Sequence, residues 1–321
     1  MKKLAFLTVL ALFVTSCHND DTPVAPENPT SDLISPAMYM GISTRDGNKP
    51  FTGVLSVAPC NESTSIYYGN YVNQKLTPFH GYYFIKDGSV YPNANNQEVS
   101  LPAGTYDMVY WGTPQYTEPI YAYPNVREPN YSIGEDFAQQ DFSLLAISND
   151  TTYYPTFDLV HARRPVNVGT EDLDADLHRV VSGLKVTLKG NNGNALSNSI
   201  TNVEVRITRI AEKLNFYSAQ PEGKSCTVAF PLVRSDDNTE MSNGTVMLFP
   251  SFGTPELQVF ITLTNGKVKT FKQTLNAPLE ANNKLTLAIS IGNILEEEDS
   301  GSFTVDEWNE SNEEINVPIL E

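Results

Sequence analysis

The sequence predicts an all-β protein built of two tandem β-sandwich domains. Three observations carry that prediction. Apolar and polar residues alternate with a period of two along several runs, Asn-Gly and Asp-Gly dipeptides separate such runs, and no amphipathic stretch longer than about three turns follows the helical period. The runs are clearest in the second half. Leu184, Val186 and Leu188 alternate with Lys185, Thr187 and Lys189, and Val203, Val205 and Ile207 alternate with Glu204, Arg206 and Thr208. Leu257, Val259, Ile261 and Leu263 share one face of a third run; Leu285, Leu287, Ile289 and Ile291 share one face of a fourth. One apolar and one wetter face per strand is the mark of antiparallel sheets packed face to face. Asp87-Gly88 and Asn265-Gly266 each suit a two-residue type I′ hairpin, which needs positive φ at both positions. Ile133–Asp141 has room for one short helix.

Val166–Asp176 is acidic and interrupts the strand pattern, which places a domain boundary there. The expected organisation is a first sandwich over 37–170, richer in Tyr, Pro and Asn, and a second over 171–321.

The first residues are a targeting segment. Lys2 and Lys3 precede the largely apolar run Leu4–Val14, which is too short to span a membrane. Val14-Thr15-Ser16-Cys17 resembles the lipobox of bacterial lipoproteins: the small residues fit a narrow peptidase site, and the Cys17 thiol is the nucleophile that takes a diacylglycerol. Residues 1–16 are therefore read as a signal peptide and Cys17 as the lipidation site. More than one acyl chain makes a stable anchor, since each buried methylene contributes about 0.8 kcal/mol. Residues 17–36 are acidic and Pro-rich and read as a flexible tether. The acidic residues after Cys17 resemble the surface-export signal of Bacteroidales lipoproteins.

Composition excludes some partners. The formal net charge of −17 over 321 residues, with no basic cluster to offset it, repels nucleic acid. Beyond Cys17 the chain holds Cys60 and Cys226. An exported compartment permits a disulfide between them, and two separate buried thiols are the equal alternative.

The search for chemistry returns little. His18, His80, His161 and His178 stand apart from one another and from the cysteines, so no metal-ligand spacing appears. Asp158 and His161 fall on opposite faces of a strand. Glu296-Glu297-Glu298-Asp299 lacks the spacing of a calcium loop and reads as a solvated linker. No nucleophile elbow, zinc-protease helix or phosphate loop is present. The expectation is no enzyme, no cofactor and no metal. Tyr67, Tyr68, Tyr71, Tyr82, Tyr83, Tyr106, Tyr110, Trp111, Tyr116, Tyr121 and Tyr123 crowd the first half; they are either sheet formers half buried in a β domain or stacking surfaces for sugars. Asp150-Thr151-Thr152 resembles a Bacteroidales O-glycosylation acceptor.

Four features along the chain resemble the fimbrillin superfamily of Bacteroidales fimbriae, and within it the lipid-anchored anchoring or accessory subunits. They are the lipobox with its acidic tether, Leu101-Pro102-Ala103-Gly104-Thr105-Tyr106-Asp107-Met108-Val109-Tyr110-Trp111, Leu177-His178-Arg179-Val180-Val181-Ser182-Gly183-Leu184-Lys185-Val186-Thr187-Leu188, and Phe303-Thr304-Val305-Asp306-Glu307-Trp308. The resemblance implies transthyretin-like Greek-key sandwiches, other fimbrial subunits as partners through strand exchange, and an outer-membrane, cell-surface location through lipid on Cys17. In such exchange a neighbour's strand fills a groove of unpaired backbone and apolar pockets. Four apolar side chains contribute on the order of 6–12 kcal/mol gross, and ordering a strand of about eight residues costs a comparable amount. The tail 302–321 either is donated or completes its own domain. Shaft fimbrillins of this type are cut by an arginine-specific protease, and Arg45, before Asp46-Gly47, is the candidate site; an anchor is not cut. The alternatives are a shaft or tip subunit processed at Arg45, and a surface glycan-binding lipoprotein.

Overall fold

The computed structural model describes residues 32–78, 81–91, 98–114, 126–147, 151–292, 303 and 305–314. They form strands joined by turns, with two short 3-10 turns and no α-helix among the described residues. The strands up to residue 179 are β1 (Leu33–Ile34), β2 (Met38–Thr44), β3 (Gly47–Pro50), β4 (Gly53–Asn61), β5 (Asn70–Val72), β6 (Lys75–Thr77), β7 (Tyr83–Lys86), β8 (Ser89–Val90), β9 (Leu101–Pro102), β10 (Gly104–Pro114), β11 (Asp141–Ser143), β12 (Thr152–Tyr153), β13 (Val160–Val168) and β14 (Leu173–Arg179). The rest are β15 (Ser182–Gly190), β16 (Ile200–Asn215), β17 (Pro221–Arg234), β18 (Glu240–Ser242), β19 (Val246–Leu248), β20 (Glu256–Leu263), β21 (Val268–Thr274), β22 (Asn283–Ile291) and β23 (Val305–Glu314).

The first large sheet has eight strands in the order β14-β13-β10-β4-β7-β8-β2-β3, and β14 also pairs with β2. That extra pairing closes the sheet on itself around Phe51, Leu55, Ile85, Met108, Tyr110 and Leu177. Strand β2 shows the alternation that makes this possible: Met38, Met40 and Ile42 are buried while Tyr39 points to solvent.

Strand β14 runs through the acidic stretch. Leu173, Ala175 and Leu177 are buried, and Asp174, Asp176 and His178 are exposed. The acidic residues that suggested a break are the solvent-facing half of a period-two strand. The chain passes from β14 of the first sheet to β15 of the second between Arg179 and Ser182, and Leu177–Leu188 spans two strands.

The second large sheet has eleven strands in the order β21-β20-β16-β17-β18-β15-β22-β23, with β11 on β16, β12 on β17 and β19 on β15. Short β18 pairs with both β17 and β15, so the sheet turns a corner there. Val203, Val205, Val259 and Ile261 of one layer share a core with Leu184, Val186, Leu287 and Ile289 of the other. All four runs with clear alternation are strands: β15, β16, β20 and β22.

The halves are fused rather than strung. β4 and β10 are buried on both faces, so their sequences carry near-continuous apolar runs (Val54–Cys60, broken by Ser56, and Met108–Trp111) instead of alternation. One face meets the first core. The other presents Ala58, Cys60, Val109 and Trp111 to the second. Trp111 is the hub: its ring lies 4.7 Å from Phe142 and 5.7 Å from Phe216, and its Nε1–H donates to the Phe216 carbonyl at 2.8 Å.

The two expected type I′ hairpins divide. Asp87 (φ 50°) and Gly88 (φ 82°) both take positive φ between β7 and β8, as type I′ requires. At Asn265-Gly266 only Gly266 does so (φ 80°). Gly266 N donates to Leu263 O and Leu263 N to Lys267 O, each at 2.9 Å, which closes a three-residue loop of the bulged kind. Within Ile133–Asp141 the helical content is the single 3-10 turn Phe137–Gln139, capped by Asp136.

Candidate functional site

The most distinctive surface is the edge where β23 lies on β22. In an antiparallel pair, directly opposed residues share a face. The buried β22 residues Ile291, Ile289, Leu287 and Leu285 oppose Val305, Trp308, Glu310 and Asn312. The core-facing side of β23 is thus apolar only at its start. Val305, Trp308 and the preceding Phe303 are half-buried against the second core. Phe271 of β21 reaches Phe303 at 5.6 Å and Trp308 at 5.8 Å, so aromatic rings seal the gap between the two layers. Further along, a carboxylate takes the place of a hydrophobe. Glu310 accepts hydrogen bonds from Trp308 Nε1 at 2.9 Å and from Asn276 N at 3.1 Å. Three half-buried apolar side chains contribute roughly 3–5 kcal/mol. Ordering the strand's backbone costs about 1–2 kcal/mol per residue, so β23 rests mainly on its ladder of main-chain hydrogen bonds to β22. The tail, open between donation and self-completion, here completes its own sheet across 305–314.

The other expected residues are scattered. Arg45 and Asp46 form the exposed tip of the β2–β3 hairpin. Cys60 and Cys226 are both buried free thiols, so the disulfide left open by the sequence is not formed. Burial pushes each thiol up to about 12, which leaves it protonated and unreactive. Cys17, His18, His80, Tyr116, Tyr121, Tyr123, Asp150 and Glu296–Asp299 lie outside the described residues, as do the signal peptide and most of the tether.

Asp158 and His161 do not pair. Asp158 holds Arg179 through two charge-assisted hydrogen bonds, at 2.7 and 2.8 Å. His161 lies opposite His178 across β13 and β14, and its ring lies 4.7 Å from that of Trp111, tilted by 55°. Burial, with the nearby Arg163 charge, lowers its pKa to about 3, so it is neutral at ordinary pH. A cleft of about 810 Å³ opens over this pair, bounded by His161, Arg163, His178 and Tyr217, with Arg163 4.2 Å from the centre of the Tyr217 ring. Among the described residues no group of His, Cys, Asp and Glu could hold a metal ion.

Of the first-half aromatics, Tyr67, Tyr71, Tyr83, Tyr106, Tyr110 and Trp111 are buried, and Tyr68 and Tyr82 are half-buried. They fill the sheets rather than form a sugar platform. The joint around Trp111 was missed at the sequence level; the apolar run Met108–Trp111, too continuous for a one-faced strand, was its signal.

Stacked sheets with long strands at their ends define an all-β, sandwich-like body. The chain belongs to the family of fimbrillin-A associated anchor proteins Mfa1 and Mfa2, whose model matches residues 38–314. This is a family of fimbrial structural proteins, not of enzymes. No curated protein matches the chain. Among solved structures, the fimbrial anchor protein Mfa2 from Porphyromonas gingivalis is similar at 14% identity and a TM-score of 0.51, covering 85% of this chain and 95% of that one. A candidate cell adhesion protein from Bacteroides ovatus is similar at 13% identity and a TM-score of 0.48, covering 89% and 99%. Another from Bacteroides uniformis is similar at 14% identity and a TM-score of 0.47, covering 89% and 99%. At 14% identity the likeness to the Porphyromonas gingivalis anchor protein is one of fold. Among the described residues no helix is long and apolar enough to cross a membrane.

Proposed function

We propose that this fimbrial accessory protein is the anchoring subunit of its fibre, held to the outer membrane by lipid on Cys17 and joined to the next subunit along the β22 edge. Its body is two transthyretin-like sandwiches that meet at Val180-Val181, the first lending β11 and β12 to the second. The observation that carries the assembly part is the mismatch of β23: Glu310 and Asn312 oppose buried Leu287 and Leu285. A partner strand with apolar residues at those two positions buries more surface and replaces the same main-chain bonds, so it outcompetes the resident strand. Its partners are other fimbrial subunits.

The test is fractionation of cells making the native chain or Cys17→Ala. The native protein is expected in the outer membrane with a mass that begins at acylated Cys17, and the variant is expected in soluble fractions with fibres shed. Membrane retention of Cys17→Ala overturns the anchor. A native product that begins at Asp46 instead assigns the chain to the shaft or tip; the exposure of Arg45 at a hairpin tip favours that second reading.

A further inference from the structure

We propose that the chain is a mechanical clamp in which two parallel strand pairs in series, β2 with β14 and β15 with β22, carry tension between the N-terminus and the C-terminal edge. The direction of load rests on the anchoring role above; the rest follows from topology.

Antiparallel pairing dominates this molecule, and its two long parallel ladders lie on one path. Met38–Ile42 pair with Leu173–Leu177, and Gly183–Gly190 pair with Lys284–Ile291. Tension on the N-terminus enters β2 at Met38. Its partner β14 leaves the first sheet at the opposite end, Arg179, and becomes β15 at Ser182. The partner of β15, in turn, leaves at its own far end, Ile291. Each pair is therefore held at the first residue of one strand and the last residue of the other.

Parallel strands loaded in this way are sheared. The bonds between them share the force and must lengthen together. Strands pulled from the same end peel one bond at a time. Forced unfolding is governed by the unfolding barrier, and a concerted rupture is the higher barrier. The edge strands β1 and β23 are not protected in this way and peel first.

The link between the clamps has no slack. Arg179, only 3% exposed, holds Asp158 before β13 and reaches Asn282 Oδ1, before β22, at 3.3 Å. Val180 N donates to Leu159 O at 3.0 Å, and Asn282 N to Val181 O at 2.8 Å. Both sides of the link are thus tied to the sheets they join, and force leaving β14 passes directly to β15.

The experiment is single-molecule pulling of the full chain carrying Cys17→Ala, with handles at three pairs of positions. Asp32→Cys with Glu313→Cys loads both clamps. Asp46→Cys with Glu313→Cys leaves β2 outside the tensioned segment, and Asp32→Cys with Asn265→Cys leaves β22 outside it. The first geometry is expected to show two high-force ruptures, and each of the others to lose one, with a force about twofold lower for that event. Equal forces in all three geometries, or the lowest in the first, overturn the clamp. Failure of the anchoring role appears in the fractionation instead and leaves these forces unchanged.

Discussion

The two halves solve the problem of the sheet edge in opposite ways. In the first, β14 bridges β13 and β2 and closes the sheet, with β3 lying outside that closure. That strand is short, fully exposed and carries Lys49 and Pro50, features that discourage pairing with another chain. In the second, long strands β21 and β23 stand at the two ends of the sheet. Their mutual gap is filled by Phe271, Phe303 and Trp308, and Phe303 N donates across it to Thr270 O at 3.3 Å. The comparison teaches that the first half is built as a closed base and the second keeps long strands at its sheet ends. Neither is independent, because Trp111 and the lent strands β11 and β12 bind them into one body.

The sharpest way to break the comparison is at the joint. Trp111→Ala removes the hub shared by both halves and is expected to cost about 3–5 kcal/mol, read as one lowered denaturation midpoint for the whole chain. Two separate transitions, with the second half unchanged, would contradict the fused joint. Asp158→Ala leaves the Arg179 charge buried without its carboxylate and is expected to cost about 3–5 kcal/mol. The double change Asp158→Leu with Arg179→Met is expected to cost less than the single one, because no charge is left stranded.

A smaller effect separates base from edge. Trp308→Ala removes a half-buried ring at the open side and is expected to cost about 1–2 kcal/mol. Hydrogen exchange should then quicken along β22 and β23 and stay unchanged in β2 and β14; a uniform change would mean that the edge is not separable. His161 adds a pH dependence at the joint. Its folded pKa of about 3 lies below the unfolded value of 6.5. The unfolded chain therefore binds the extra proton between those values, and stability falls as pH drops from about 6.5 toward about 3, by at most about 1.4 kcal/mol per pH unit. His161→Phe, which keeps a ring against Trp111, should flatten that slope in denaturation measured across the window. Least costly is Gly88→Ala, at about 1 kcal/mol. Its φ of 82° favours glycine, and a Cβ would stand 3.1 Å from the Met40 carbonyl, so a midpoint identical to the native chain would show that the turn relaxes freely.

The strands with one dry face were legible because alternation is local: β15, β16, β20 and β22 announce themselves in a few residues each. The Asp87-Gly88 turn was legible for the same reason. Asn265-Gly266 misled because both a two-residue and a three-residue loop accept that dipeptide, and the flanking register chooses between them. Within Val166–Asp176 the strand went unread because Asp174 and Asp176 were weighed as composition, while their alternation with Leu173, Ala175 and Leu177 was the structural signal. The apolar runs of β4 and β10 went unread because a run without alternation does not say what covers either face.

By itself the sequence determined the β class, most of the core-facing residues of the second half, the candidate lipid site Cys17 and the family resemblance, since each of these is written in neighbouring residues. The tertiary structure alone decided that β14 closes the first sheet, that Cys60 and Cys226 stay apart, that Arg179 ties Asp158 to Asn282, and that β23 lies on β22. Those outcomes depend on which distant strands win each other's hydrogen bonds, and period-two chemistry makes many partners locally acceptable. Only the burial of the whole core selects among them.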